Sequence, residues 1–253
     1  MTGRRVARGL TCLATSLVLL TGCGDDLPFA SSPSATAPTP VPTPEPVTSS
    51  PTTDPRLERA GRQVDEAQAE AALAGLPRSA KPGPEPSAQY RKTDPKPCID
   101  VLRLGWYATN LKRSRTVAVT RGWTQGKGTG LQAHNVRIES HSRPVGATLL
   151  DQAGAALAGC DSFSLTGRDE AGPIDLRLLA EPRTTATLGD QTFAVRITTF
   201  GEIGGRQTRI YADYLVVRVG HSLITLTQTS TDEASDMTTL ERHAEDIISR
   251  LAR

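Results

Sequence analysis

Histidines, a serine beside one of them, a glycine-rich run and four cysteines are the places where this 253-residue chain could do chemistry. His134, His141, His221 and His243 show none of the HxH, HxxxH or HExxH spacings that bring two imidazoles to one metal ion. His134 and His141 are seven apart along one alternating stretch, which puts them on opposite faces of a strand; surface or strand-end positions are expected for all four. Ser222 follows His221 directly, and neighbours on a strand point apart, so the two do not form a nucleophile–base pair. No GxSxG turn is present. The run GWTQGKGTG at 122–130 lacks a glycine five residues before Gly126, and Lys127 is followed by glycine where a phosphate loop needs Ser or Thr. It reads as a hairpin loop. Triads assemble from residues distant in sequence, so a hydrolase stays open as a third reading. The sequence names no catalytic residue, metal ligand or cofactor, and the expectation is a non-enzymatic protein.

The cysteines carry more. Arg4, Arg5 and Arg8 form a basic start with no acid before Asp25, and an apolar run of eleven residues follows at 10–20. A spanning helix needs about 20 apolar residues, so this run matches the core of an export signal. Leu20-Thr21-Gly22-Cys23 then looks like a bacterial lipobox. The expected processing is cleavage after residue 22 and attachment of diacylglycerol to Cys23. Two acyl chains, at about 0.8 kcal/mol per buried methylene, anchor stably where one would be marginal. Cys12 goes with the discarded segment, which leaves Cys98 and Cys160. Outside the cytoplasm two remaining cysteines pair by default, and a reactive thiol is the competing reading. Closing their loop of about 60 residues would stabilise the fold by about 4 kcal/mol in the chain-entropy picture.

Cleavage removes three arginines and no acid, leaving 26 basic against 27 acidic side chains, a net charge of −1. That balance, with no clustered basic face, argues against nucleic acid as a partner. Arginine outnumbers lysine 24 to 5, a bias of GC-rich genomes that points to an actinobacterial host. Residues 23–55 are dominated by Ser, Thr, Pro and Ala and cannot bury enough apolar surface to offset chain entropy. They are expected to be a disordered, lipid-anchored spacer. Residues 56–253 are long enough for one domain with a sizeable core.

The elements that must position any site are legible from periodicity. Residues 56–76 have helical composition with a thin apolar face, ended by Gly75 and Pro77; 78–97 read as loop; Cys98 opens a short helical turn. Period-two alternation marks strands at 116–124, 131–140, 161–167, 173–180, 191–200, 207–219 and 222–229. Strand 207–219 is apolar on both faces, with Leu215, Val217 and Val219 on one and Ile210, Tyr214 and Val216 on the other, so it is expected at the centre of the sheet. Helices are predicted over 143–159, capped by Ser142, and over 235–252, capped by Asp232 or Ser235. The class is α+β, with a mainly antiparallel sheet of about six or seven strands, packed helices and one disulfide. Trp106, Tyr107, Trp123, Tyr211 and Tyr214 read first as core, since aromatics make up only 4% of the chain, and second as the lining of an apolar cleft. Trp106, Trp123 and Tyr214 are the candidate ligand contacts.

Several short motifs occur in a telling order: AALAGLP, Pro97-Cys98-Ile99-Asp100, ALAGCDSF at 156–163, and YADYLVVRVGHSLITLT at 211–227 before a closing amphipathic helix. This order resembles the extracellular sensor domain of actinobacterial serine/threonine kinases of the PknH type and their lipoprotein relatives, over about residues 66–253. The resemblance implies an antiparallel sheet with helices packed on it, an apolar cleft, and sensing or ligand binding without catalysis. Kinase-linked members carry two disulfides where this chain can form one. With no kinase domain and no spanning helix, the chain would need a partner to pass a signal across a bilayer. The function expected is a lipid-anchored envelope protein on the outer face of the membrane, binding an unidentified ligand or protein partner. A carrier of lipid or glycolipid is the alternative.

Overall fold

The computed structural model describes residues 54–77, 91–102, 109–127, 130–169, 172–203, 206–231 and 234–253. The lipobox with Cys23, most of the spacer, and Trp106 with Tyr107 lie outside the described residues.

Eight antiparallel strands form a single sheet: β1 (Arg91–Asp94), β2 (Arg115–Gln125), β3 (Gln132–His141), β4 (Ser162–Asp169), β5 (Gly172–Pro182), β6 (Gln191–Ile203), β7 (Arg206–Val219) and β8 (Ser222–Thr231). Their order across the sheet is β1-β4-β5-β6-β7-β8-β3-β2. The β2–β3 hairpin thus lies at one edge, and a helix carries the chain to the far side, from which β4 to β8 return as a meander. One strand exceeds the seven that alternation predicts. It is β1, a four-residue polar segment that alternation cannot flag; it is held to β4 by backbone pairing at the sheet's other edge.

The first helical segment is two helices, α1 (Pro55–Ala60) and α2 (Glu66–Leu73), where the composition suggests one. Asp65 breaks the run because it caps α2: its side chain accepts from Gln68 N at 2.8 Å, and the Gln68 side chain accepts from Asp65 N at 2.9 Å. A 3₁₀ turn (Lys96–Cys98) runs into α3 (Ile99–Leu102), and α4 (Thr109–Ser114) leads into β2. The middle helix, α5, spans Thr148–Leu157 and starts later than expected. Ser142 is no cap: α5 begins only after Pro144 and Gly146, with Ala147 as its N-cap, and Val145 N donates instead to Gly220 O at 2.8 Å. The last helix, α6 (Thr238–Leu251), has no side-chain cap either; Ser235 is drawn away to Asp213 at 2.9 Å, and Asp232 lies outside the described residues. None of the helices in the described residues is long and apolar enough to cross a membrane.

The sheet separates two cores. On one face α1, α2 and α6 cover Val119, Trp123, Val136, Ile138, Leu215, Val217, Val219, Ile224 and Leu226. On the other, α3 and α5 cover Phe163, Leu165, Leu178, Phe193, Val195, Ile197, Val216 and Leu223. Strand β7 feeds both, as its two-sided apolar pattern requires. The first face is closed by three helices. The second is thinly covered: Leu102, Leu111, Leu149, Leu157, Leu176 and Tyr214 pack there only partly buried.

Candidate functional site

Strand pairing at the β2–β3 hairpin builds the site. Arg115 pairs with His141 and Val117 with Ser140, so a bulge at the start of β2 turns Ser114, the last residue of α4, toward the end of β3. Ser142 N then donates to Ser114 O at 2.8 Å and fixes the chain leaving β3 against the chain entering β2. From there 143–147 passes the β7–β8 turn on its way to α5, with Val145 O accepting from Arg218 Nη1 at 3.3 Å.

Between α4, this segment and the first turn of α5 lies a cleft of about 510 Å³. Leu111, Val145 and Leu149 give it apolar walls, Arg143 supplies a cation, and Ser114 and Thr148 supply hydroxyls. Pockets of about 300–1,000 Å³ hold single small molecules.

Behind the wall is a buried polar chain. Ser114 Oγ is 3.0 Å from His141 Nδ1, and His141 Nε2 is 4.0 Å from Glu139 Oε2. Glu139 Oε1 accepts from Arg115 Nη1 at 2.7 Å, Arg137 Nε at 3.0 Å and Arg137 Nη2 at 2.7 Å, which leaves Oε2 turned to the imidazole. Burial holds the His141 pKa below its ordinary value; Glu139 pulls it up, and Arg115 and His221 push it down. The ring is therefore neutral at neutral pH. A backbone hydrogen bond at Leu111 also pulls the pKa up; Nε2 has no hydrogen-bond partner among the described residues, and the tautomer decides which of Nδ1 and the Ser114 hydroxyl donates.

Of the residues expected to contact a ligand, Trp106 lies outside the described residues, and Trp123 and Tyr214 lie on opposite faces of the sheet. Trp123 is in the closed core, stacked on His134 with ring centroids 4.7 Å apart and 3° between planes, and edge-on to His243 at 5.6 Å. Tyr214 is on the opposite face of the sheet and does not line the cleft. Cys98 and Cys160 are bonded, as their number and setting suggest, and join the 3₁₀ turn to the end of α5. His134 and His141 do face opposite ways, but neither is at the surface: they are 3% and 0% exposed. His221 and Ser222 are no pair; the His221 ring is 2.7 Å from His141 O through Nδ1. No group of three or more potential metal ligands occurs among the described residues. Ser114, His141 and Glu139 carry no motif. The one signal that could have found them is the hairpin register, which places the residue before β2 beside the last residue of β3.

No protein family matches the sequence, and no curated protein is significantly similar to it. Among solved structures, the chain is similar to the extracellular domain of PknH from Mycobacterium tuberculosis, at 11% identity over 78% of this chain and 94% of that one, with a TM-score of 0.45. It is also similar to an Rv0999 ortholog from Mycobacterium smegmatis, at 12% identity over 76% of this chain and 85% of that one, with a TM-score of 0.38.

Proposed function

We propose that the chain is a lipid-anchored, sensor-like protein of the cell envelope whose folded domain binds a small ligand beside α5 without turning it over. The observation that carries this reading is the cleft itself: about 510 Å³, apolar at Leu111, Val145 and Leu149, cationic at Arg143, on the thinly covered face of the sheet. The lipobox residues support the anchor, and the order of short motifs supports a sensing role over an enzymatic one. A cation beside an apolar wall suits a ligand with an anionic or strongly polar end and an apolar body.

The test is a native mass spectrum of the full chain extracted from membranes of an actinobacterial host. A co-purifying mass that is lost in Leu149→Glu supports binding in the cleft; a lipid-sized mass would replace the sensor by a carrier. An empty chain that crosslinks to a protein in intact cells would make the face a partner surface. The anchor has its own readout: radiolabelled palmitate is incorporated by the native chain and not by Cys23→Ser.

A further inference from the structure

We propose that Ser114 is a nucleophile that captures the acyl group of an activated carboxylic ester or related acyl donor in this cleft. This rests on the cleft's being the ligand site and adds what happens to the ligand there.

The geometry has the parts that acyl transfer to a serine needs. Ser114 lines the cleft, and its Oγ lies 3.0 Å from Nδ1 of a neutral, fully buried imidazole. The Glu139 carboxylate stands 4.0 Å behind the other ring nitrogen, an ion-pair distance that would shorten as the ring gains charge. Arg115 and Arg137 fix that carboxylate, so Glu139 acts as a positioning residue. The first turn of α5, at Thr148 and Leu149, lines the same cleft, and its N-cap Ala147 has no side chain to engage the first N–H groups. Those dipoles favour negative charge developing on a carbonyl oxygen.

The step balances without any further reagent. Ser114 Oγ bonds to the acyl carbon as its proton passes to His141 Nδ1. The bond from that carbon to the leaving oxygen then breaks, and the activated leaving group departs into the cleft as an anion while the proton stays on His141, faced by Glu139. His141 lies wholly buried behind Ser114, so the new ester stands between the base and the water of the cleft. Deacylation therefore lacks a base in contact with water, and one acyl group stays on each chain. A purely structural role for the serine is the competing account, since its hydroxyl also lies 3.2 Å from Leu111 O and can tie down the last turn of α4.

The full membrane-extracted chain is treated with a fluorophosphonate and, separately, with p-nitrophenyl acetate, and peptides are mapped by mass spectrometry. The expected result is one adduct per chain, on Ser114, with a burst of one equivalent of nitrophenolate and no steady release. Ser114→Ala should abolish it in a chain that still folds, at a melting temperature lowered only by the lost hydroxyl contacts. His141→Gln should slow it by about 10²-fold or more, the usual worth of a general base. If His141→Gln does not fold, Ser114→Cys serves: its thiol should alkylate with iodoacetamide far faster than free cysteine. A folded native chain with no adduct at Ser114, or one labelled equally fast in His141→Gln, overturns the proposal. Steady turnover that depends on Ser114 overturns capture and the non-enzymatic reading together. Should Ser114→Ala still retain a ligand in the native spectrum, binding in the cleft stands whether or not acylation does.

Discussion

Both ring nitrogens of His134 are buried, with no hydrogen-bond partner among the described residues, and the ring lies flat on Trp123. Burial first, and His243 second, hold its pKa at about 4 against an ordinary 6.5. Burial lowers His243 as well. Between pH 6.5 and about 4 the unfolded chain takes up a proton that the native chain does not. Stability is therefore full above pH 6.5 and falls as pH drops to about 4, by about 3 kcal/mol for His134 alone. His134→Phe, which keeps a ring on Trp123, should remove most of that loss; guanidinium midpoints at pH 4.5 and 7 read it directly. At the β7–β8 turn Gly220 has φ of +51°, and a Cβ there would overlap the Gly61 carbonyl oxygen and Cα. Gly220→Ala should cost about 2 kcal/mol or more and loosen α1 from the sheet, measurable by urea unfolding and amide exchange at Gly61. Little of this is visible in sequence. A buried histidine and a surface one have the same letter, and the glycine's partner lies far away in the chain.

Elements were far more legible than contacts. Every strand from β2 to β8 shows alternation because each has at least one covered face, and α6 shows Leu240, Ala244, Ile247 and Ile248 at helical spacing for the same reason. The misses are physical. Strand β1 is too short and polar to carry a period, and α4, at six residues, is too short to show a helical face. The α1–α2 break comes from a capping box inside a run of helix formers. One element is pinned by charge: Arg196 binds Asp213 through two bonds of 2.8 and 2.9 Å and also donates to Ser235 O, and the Ser235 hydroxyl donates to Asp213. Asp213 is fully buried, so Asp213→Ala strands a guanidinium and should cost about 3–5 kcal/mol, with the loop entering α6 losing protection from exchange first. The Cys98–Cys160 bond closes 62 residues of chain. Replacing both cysteines by alanine should cost about 4 kcal/mol and free α3 from α5 before the sheet itself opens, seen as early exchange at Val101.

For the molecule as a whole, class, the antiparallel character of the sheet and the disulfide arise from patterns that any reader of the chain can count; the strand order does not. The cleft does not, because Ser114, His141 and Glu139 meet only once the hairpin has closed with a bulge. The two cores share strands β6, β7 and β8 but none of their buried side chains. Substitutions on the two faces should therefore combine additively: Ile247→Val in α6 and Leu150→Ala in α5 are expected to sum within about 0.5 kcal/mol, against coupled losses for pairs within one core. That insulation bears on how such a domain can diverge. A lineage can reshape the walls around Ser114, and with them what the cleft accepts, without renegotiating the packing under α6. The closed side then carries the fold, and the thin side is where substitutions disturb it least.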